Sequence, residues 1–293
     1  MLQLKKYGQW YFVGALALIA GSIWSAVFWV EARNGRVLIH FLDVGQGDAI
    51  FIEAPNGNQV LIDGGPDATI LAGLGEVMPF WDRSIDLLIL THPHADHLDG
   101  FLEALKRYKV GGVLESGVNH SIPEYQEWHD VIDSKNIPLT IAKRGQIIRI
   151  GNGVALDVLA PITSFAGASP KNIHDSSVVA LFSFASTSAL FMADAEVPLE
   201  KELLRRGGFF PVDILKVGHH GSKTSTGEEL LALARPRIAV ISVGRKNRYG
   251  HPYQAVLDRL KRFGVKIYRT DQDGRILRAS ESALKLGDWD AVG

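Results

Sequence analysis

Apolar residues in this chain fall into short continuous runs separated by amphipathic stretches, a pattern typical of an α/β protein. The short runs predict strands at residues 37–42, 49–53, 59–62, 85–90, 110–115, 137–142, 147–150, 154–159, 178–184, 189–192, 213–217 and 237–243. Apolar positions at helical spacing predict helices at 98–108, 124–134, 196–206, 228–234 and 254–263, and Asp273-Gly274 predicts a closing hairpin. This order of elements predicts two stacked sheets with helices on the outside.

The N-terminal segment is the longest apolar run. Residues 11–30 carry no charge, and about 20 apolar residues are needed to cross the hydrocarbon layer of a bilayer. Lys5 and Lys6 precede the run, which favours a cytoplasmic N-terminus. We therefore predict a tail and transmembrane anchor in residues 1–34, a single-pass protein of the cell membrane, and an extracytoplasmic domain in residues 35–293. A cleaved signal peptide and a buried core helix are the alternatives.

Composition narrows the chemistry. The chain has 293 residues, a formal net charge of −1 and no cysteine. Near-neutral charge disfavours strong non-specific binding to nucleic acid, although a phosphodiester held by metal ions stays compatible with it. The absence of cysteine excludes disulfides and thiolate-bound metal.

Candidate chemistry is densest in Thr91-His92-Pro93-His94-Ala95-Asp96-His97, which joins a predicted buried strand to an amphipathic helix. Histidine and aspartate supply the nitrogen and oxygen ligands that zinc, manganese and iron accept. A polar helix cap is the alternative interpretation, but it would need only Asp96. The segment therefore predicts a metal site at a strand-to-helix turn.

Other ionisable residues also follow predicted strands. Asp63, His174, Asp194 and the pair His219-His220 all stand at a strand end or on the loop beyond it. Such loops can converge at one edge of a layered fold. Asp63 is well placed to orient a ligand histidine, and a simple Asp-Gly turn is its alternative.

Several motifs together resemble the metallo-β-lactamase superfamily, and within it the nuclease-like domain of ComEC-type competence proteins. The superfamily motifs are His92-x-His94-x-Asp96-His97 and Leu61-Ile62-Asp63-Gly64-Gly65. The ComEC-like segments are Asp43-Val44-Gly45-Gln46-Gly47-Asp48, residues 215–222 and Asn247-Arg248-Tyr249-Gly250-His251-Pro252. The resemblance covers about residues 37–280 and implies a four-layer αββα sandwich, here preceded by one transmembrane helix.

The resemblance also implies a site with two divalent metal ions, zinc or manganese. One ion would be held by His92, His94 and His174, and the other by Asp96, His97 and either His219 or His220, with Asp194 between them. Asp96 would also position the attacking water, while His219, His220 or His251 would protonate the leaving group. Ser176, Ser177, Ser222 and Lys223 are candidate substrate-binding residues, and solvated loop residues are the alternative for each.

These features predict a membrane-anchored metal-dependent phosphodiesterase or nuclease that acts on DNA or another phosphodiester. ComEC proteins contain many transmembrane helices, so a separate membrane channel protein is a possible partner for a chain with one. The alternatives are hydrolysis of a lactone, thioester or phosphocholine-type ester, and a metal-free, membrane-tethered binding module. A basic groove of Lys216, Lys223, Arg245, Lys246 and Arg248 would favour the nuclease, whereas an apolar pocket would favour the other esters.

Overall fold

The structure, a computed structural model, describes residues 3–33, 35–207 and 211–281. Its strands are β1 (Arg36–Phe41), β2 (Ile50–Glu53), β3 (Gln59–Ile62), β4 (Ser84–Ile85), β5 (Leu87–Leu90), β6 (Lys109–Val110), β7 (Val113–Glu115), β8 (Leu139–Ile141), β9 (Ile147–Gly151), β10 (Val154–Ala160), β11 (Val179–Phe184), β12 (Thr187–Phe191), β13 (Ile214–Lys216), β14 (Ile238–Ile241), β15 (Lys266–Arg269) and β16 (Ile276–Glu281). The helices are α1 (Gln3–Arg33), α2 (Thr69–Val77), α3 (Ala95–Arg107), α4 (Pro123–Ser134), α5 (Val197–Arg206), α6 (Glu228–Ala234), α7 (Gln254–Arg262) and α8 (Thr270–Asp273).

Two mixed sheets form the centre of the fold. One has the strand order β16-β1-β2-β3-β5-β7-β8, and the other has the order β15-β14-β13-β12-β11-β10-β9. Each sheet has an antiparallel half and a parallel half, and β3, β5, β7 and β8 run parallel in the first while β12 to β15 run parallel in the second. Strands buried on both faces explain the continuous apolar runs in the sequence.

Three apolar clusters define the layers. The first cluster lies between the sheets and takes side chains from both, for example Phe41 and Ile89 from one and Phe182 and Val240 from the other. The second joins the outer face of the first sheet to α2, α3 and α4, and the third joins the outer face of the second sheet to α5, α6 and α7. The predicted α/β sandwich with helices on both outer faces is confirmed.

The parallel strands bring the candidate residues to one edge. Asp63 directly follows β3, and Thr91 directly follows β5, its parallel neighbour. In the second sheet Asp194 comes shortly after β12, and the loop carrying His219 and His220 follows β13. Because parallel strands end at the same edge of a sheet, sequence-distant loops meet there.

Close backbone packing seats helix α3 on this edge. The amide of Gly64 donates to the carbonyl of His97 (2.7 Å), and that of Gly100 donates to the carbonyl of Gly65 (2.9 Å). A Cβ on Gly100 would collide with the carbonyl oxygen of Gly64. Because Gly64 and Gly100 lack a Cβ, the helix that carries Asp96 and His97 can approach the turn that carries Asp63.

Three details of the predicted topology are wrong. The closing hairpin does not form, since β15 pairs with β14 in one sheet while β16 pairs with β1 in the other, and α8 makes the crossing between them. Residues 69–77 form helix α2, where no helix was predicted. The predicted strand 110–115 is two short strands, separated by Gly111 and Gly112.

The predicted transmembrane anchor also needs correction. Residues Gln3–Arg33 do form helix α1. Crossing a bilayer requires a helix of about 20 sufficiently apolar residues, and among the residues that the structure describes no helix meets this requirement. For that part of the chain, the predicted transmembrane helix and the predicted single-pass localisation in the cell membrane are therefore wrong. The predicted division after Asn34 and the C-terminal residues 282–293 lie outside the described residues.

Candidate metal centre

The histidine cluster forms the entry to α3. His94 is the residue that precedes the first helical turn, and Asp96 lies within that turn, where the helix dipole favours a carboxylate. His92 and His97 are completely buried, whereas Asp96 is partly exposed. The predicted strand-to-helix turn is therefore present. It places the polar imidazoles of His92 and His97 in the interior of the protein.

Asp194 lies at the middle of the cluster, and its two oxygens face different partners. Oδ1 lies 3.4 Å from His97 Nε2 and 3.6 Å from His220 Nε2. Oδ2 lies 3.7 Å from His92 Nε2 and 3.8 Å from His174 Nδ1. One carboxylate is thus shared between two sets of imidazoles.

These residues form two adjoining groups whose ligand atoms are close enough to hold metal ions. The first group is His92, His94, His174 and Asp194, and the second is Asp96, His97 and His220. Among the described residues, buried atoms without a hydrogen-bond partner include His97 Nε2, His174 Nδ1, Asp194 Oδ1 and His220 Nε2. Unpaired buried polar atoms are costly unless a ligand satisfies them, so the donors fit a pair of divalent cations.

A second set of side chains fixes the orientation of the rings. Asp63 Oδ2 lies 2.8 Å from His97 Nδ1 and also accepts from Thr91 Oγ1 (2.8 Å). Thr91 Oγ1 in turn lies 3.1 Å from His92 Nδ1. Carboxylates in this position hold a ligand imidazole with its other nitrogen free for a metal, which is the arrangement predicted for Asp63.

Replacing Asp63 with alanine is expected to weaken metal binding by about 10–100-fold, because His97 loses the acceptor that fixes its ring. Competition with a chromophoric chelator measures this affinity. Asp67→Ala is a suitable control, because Asp67 lies on the same turn and its carboxylate contacts Thr69 rather than an imidazole. Equal affinities for the Asp63→Ala variant and the control would contradict the role of Asp63.

The structure distinguishes the two neighbouring histidines. His220 is buried, its Nδ1 donates to the carbonyl of Ser242 (3.0 Å), and its Nε2 lies 3.2 Å from Asp96 Oδ2. His219 is partly exposed, with Nε2 at 3.7 Å from Asp194 Oδ2 and Nδ1 at 3.4 Å from Glu196 Oε1. Both have left-handed backbone conformations, with φ of 48° and 52°, which are uncommon for residues other than glycine. His220 therefore belongs with Asp96 and His97, and His219 lies at the rim.

Electrostatics within the cluster divide the histidines into two classes. Burial lowers the pKa of His92 well below its usual value and that of His94 to about 4, with neighbouring histidines adding to the effect. Burial also opposes protonation of His97 and His220, but nearby carboxylates, led by Asp194, outweigh it. They raise the pKa of His97 well above its usual value and that of His220 to about 10. Without metal, protons on His97 and His220 balance the carboxylates.

Metal binding near neutral pH is expected to release about two protons, because both His97 and His220 must be neutral to act as ligands. Since these protons leave as the pH rises, metal affinity should increase from pH 6 towards pH 9, roughly the range in which competition by protons weakens. Calorimetric titration in buffers of different ionisation enthalpy measures the release. A heat of binding that is independent of the buffer would contradict this assignment.

Two cavities border the cluster and share His94 and His174. One, of about 250 Å³, is also lined by Gln46, Asp96, Asp194, His219, His220, Tyr249 and His251. The other, of about 510 Å³, is also lined by Asn119, His120, Ser121, Ser169, Pro170, Lys171, Asn172 and Ile173. Most of the residues that line them are polar or ionisable, and both cavities reach the cluster at His94 and His174.

The predicted substrate-binding residues are only partly suited to that role. Ser176 and Ser177 are completely buried, and Ser176 Oγ donates to the carbonyl of Ile173 (2.6 Å). Ser222 Oγ pairs with Thr224 Oγ1 (3.0 Å), and Lys223 extends over the ring of Tyr253. None of these four residues lines either of the two cavities.

One of the five residues predicted to form a basic groove, Lys216, does not face solvent. Lys216 is completely buried and its ammonium pairs with Asp48 at 2.7 Å, so it presents no charge to a substrate. Arg248 is exposed and extends over Tyr249, which lines the smaller cavity. His251 lines the same cavity, and burial lowers its pKa to about 4.

Sequence reasoning gave no role to several residues that the structure brings to the site. Glu196 accepts from Asn172 (2.9 Å) and Thr224 (2.6 Å) and faces His219. Gln46 and Tyr249 belong to the quoted ComEC-like segments but had been assigned no function. The spacing of Glu196, two residues beyond Asp194, could have suggested it, because both follow the same strand.

The sequence of the chain is similar to one protein family and to several curated proteins. A family profile described as the Metallo-beta-lactamase superfamily matches residues 42–245. The chain is 33% identical to ComE operon protein 3 of Bacillus subtilis over 255 residues, covering 81% of this chain and 32% of that protein. It is 30% identical to Recombination protein 2 of Haemophilus influenzae, covering 85% and 30% of the two chains. It thus spans about a third of the length of these curated relatives.

Solved structures with similar folds are more distant in sequence. The diiron β-hydroxylase CmlA of Streptomyces venezuelae has a TM-score of 0.52 at 16% identity, covering 84% of this chain and 54% of that one. Zn²⁺-bound PqqB of Methylobacterium extorquens has a TM-score of 0.51 at 10% identity, covering 80% and 97%. These similarities concern the fold alone.

Proposed function

The chain belongs to the metallo-beta-lactamase superfamily, and we propose that it is a binuclear metal-dependent phosphodiesterase that acts on nucleic acid. The motif-based resemblance to ComEC-type competence proteins is confirmed by the matched relatives. The finer claims, two ions and a phosphodiester substrate, rest on the site itself.

The position of Asp194 is the observation that carries the proposal. Its Oδ1 faces His97 and His220, while its Oδ2 faces His92 and His174. A carboxylate with one oxygen towards each of two imidazole sets is suited to bridge two cations. Imidazole and carboxylate ligands suit zinc or manganese.

The residues of this chain would divide the work as follows. His92, His94 and His174 would hold one ion, and Asp96, His97 and His220 the other. Two such ions supply Lewis acidity, which activates water and stabilises charge on phosphoryl oxygens. Asp96, which is partly exposed at the smaller cavity, would orient the attacking water.

His219 is the best placed of the three candidate proton donors. Its Nε2 faces the centre at 3.7 Å from Asp194, and its Nδ1 faces Glu196. Glu196 is itself held by Asn172 and Thr224. A carboxylate on one ring nitrogen orients the imidazole and supports a proton on the other, so His219 could protonate the leaving oxygen. His220 would be occupied as a ligand.

Three features support a phosphodiester over a lactone or thioester. Most of the residues that line the two cavities are polar or ionisable, whereas an apolar acyl group would favour a pocket of apolar side chains. Both cavities border His94 and His174, so a chain-like substrate bound at the cluster would have a cavity available beyond the reacting group. Recombination protein 2 of Haemophilus influenzae and a further relative, Competence protein ComA of Neisseria gonorrhoeae, are named for recombination and competence, which favours nucleic acid.

The proposal is tested by incubating the full chain, loaded with Mn²⁺ or Zn²⁺, with single-stranded DNA, bis-p-nitrophenyl phosphate, lactones and thioesters. We expect cleavage of the DNA and the model diester, and its loss in His94→Ala. His129→Ala is the matched control, because His129 contacts Glu115 rather than the cluster.

Metal-dependent turnover of only the lactones or thioesters would overturn the substrate assignment while retaining the metal centre. Absence of both bound metal and hydrolysis would overturn the enzymatic proposal and favour a binding role. Activity that persists in His94→Ala at the wild-type rate would show that the reaction uses another site.

A further inference from the structure

A buried ion pair lies directly behind the proposed metal centre. Asp48 and Lys216 are both almost inaccessible to solvent, and Lys216 Nζ donates to Asp48 Oδ2 at 2.7 Å and to the carbonyl of Val217 at 3.2 Å. Lys216 is the last residue of β13, while Asp48 ends the loop before β2. The pair therefore joins the two sheets where the cluster is built.

Asp48 has the position of a metal ligand. Its carboxylate, His97 and Asp194 offer ligand atoms within 4.8 Å of one another. Among the described residues its Oδ1 has no hydrogen bond of good geometry, although it lies 3.3 Å from His220 Nδ1. Geometry alone would thus allow Asp48 either to bind an ion or to orient His220. Only the second role leaves the proposed set of metal ligands unchanged.

We propose that Lys216 holds Asp48 off the metal ions, so that Asp48 acts as a positioning residue for His220 and not as a ligand. The ammonium neutralises the carboxylate and fixes its direction through Oδ2. Oδ1 then faces the Nδ1 nitrogen of His220, next to the carbonyl of Ser242 at 3.0 Å. Both neighbours only accept hydrogen bonds, so the proton stays on Nδ1 and Nε2 is free to coordinate.

The surrounding backbone supports this division of roles. The amide of Asp48 donates to the carbonyl of Asp96 (3.2 Å), and the carbonyl of Asp48 accepts from Gly65 (2.9 Å). A Cβ on Gly47 would collide with the carbonyl of Asp96. The loop is therefore fixed between the Asp63 turn and α3, with little freedom for Asp48 to move while Lys216 is present.

The test uses the full chain loaded with Co²⁺ and compares three variants with the wild type. Lys216→Met frees the Asp48 carboxylate, whereas Asp48→Asn with Lys216→Met removes both charges and keeps a hydrogen-bond acceptor. Asp48→Leu with Lys216→Met removes both charges and the acceptor. Removing both members of a buried ion pair is tolerated far better than removing one, so the double variants are the ones expected to fold.

We expect the d–d absorption of bound Co²⁺ to weaken in Lys216→Met, because an added carboxylate raises the coordination number, and to recover in the asparagine double variant. The leucine double variant should bind Co²⁺ about 10-fold more weakly than the asparagine variant, at the lower end of what loss of an orienting partner costs. An unchanged spectrum in folded Lys216→Met, or equal affinities of the two double variants, would overturn the inference.

The inference rests on the proposed metal centre, and the wild-type protein separates the two claims. Wild type that binds no Co²⁺ would overturn the metal centre and this inference together. Wild type that binds two ions while the double variants do not differ would overturn the role of Asp48 alone. If the Lys216→Met variant does not fold, the difference in Co²⁺ affinity between the two double variants tests the role of Asp48.

Discussion

Replacing Asp194 with alanine is expected to reduce the bound metal from two ions to at most one and to lower kcat/KM by roughly three orders of magnitude, a loss of about 4 kcal/mol of transition-state stabilisation. Asp194 is the residue whose two oxygens face both imidazole sets. Without it, neither ion would keep its shared ligand, and His92, His97, His174 and His220 would lose a carboxylate that lies within 3.8 Å of each ring. Elemental analysis and initial rates on a model diester measure both effects.

Asp194→Asn sharpens this test, because it keeps the shape of the side chain and removes the charge. Burial opposes ionisation of Asp194, but the charges of His220, His97 and His92 outweigh it and hold its pKa well below the usual range. The asparagine variant should therefore also lose metal. Asp258→Ala, on the exposed face of α7, is the control for a lost carboxylate. Two tightly bound ions in Asp194→Ala would contradict the bridging role.

His220→Ala and His219→Ala are expected to fail in different ways. His220→Ala should lose one ion and with it nearly all activity, because its buried Nε2 lies against Asp96 and Asp194. His219→Ala should retain both ions yet lose about 100-fold in kcat, the lower range for removal of a general acid. Metal content and kcat measured on the same preparations separate the two roles.

A graded set of leaving groups provides the control for His219. The deficit of His219→Ala should shrink for a diester with a good leaving group, such as p-nitrophenolate, because that oxygen needs no proton. It should be largest for DNA, whose alkoxide leaving group is poor. Loss of metal in His219→Ala to the same extent as in His220→Ala would contradict this assignment.

Local sequence pattern predicted most of the fold because buried strands and amphipathic helices leave strong signals. The layered arrangement followed from the order of the runs, and the convergence of Asp63, His97 and Asp194 followed from their positions after strands. The closing hairpin failed because Asp273-Gly274 describes a turn without saying which sheet the next strand joins. Pairing partners distant in sequence decide that choice.

Side-chain environment was the part that sequence could not supply. The adjacent residues His219 and His220 are equivalent in a motif, and only burial and the carbonyl of Ser242 separate them. Lys216 was predicted to lie in a basic groove because the sequence gives its charge. The sequence does not show that Lys216 pairs with Asp48, which lies 168 positions away. The hydrophobic N-terminal run predicted a span that the described residues of α1 do not provide.

The most direct measurement follows the rate of bis-p-nitrophenyl phosphate hydrolysis while metal-free protein is titrated with Mn²⁺ or Zn²⁺. We expect little activity up to one equivalent of metal and a steep rise between one and two equivalents, which ends when the second ion is bound. Full activity at one equivalent, or no hydrolysis with two ions bound, would contradict the binuclear phosphodiesterase.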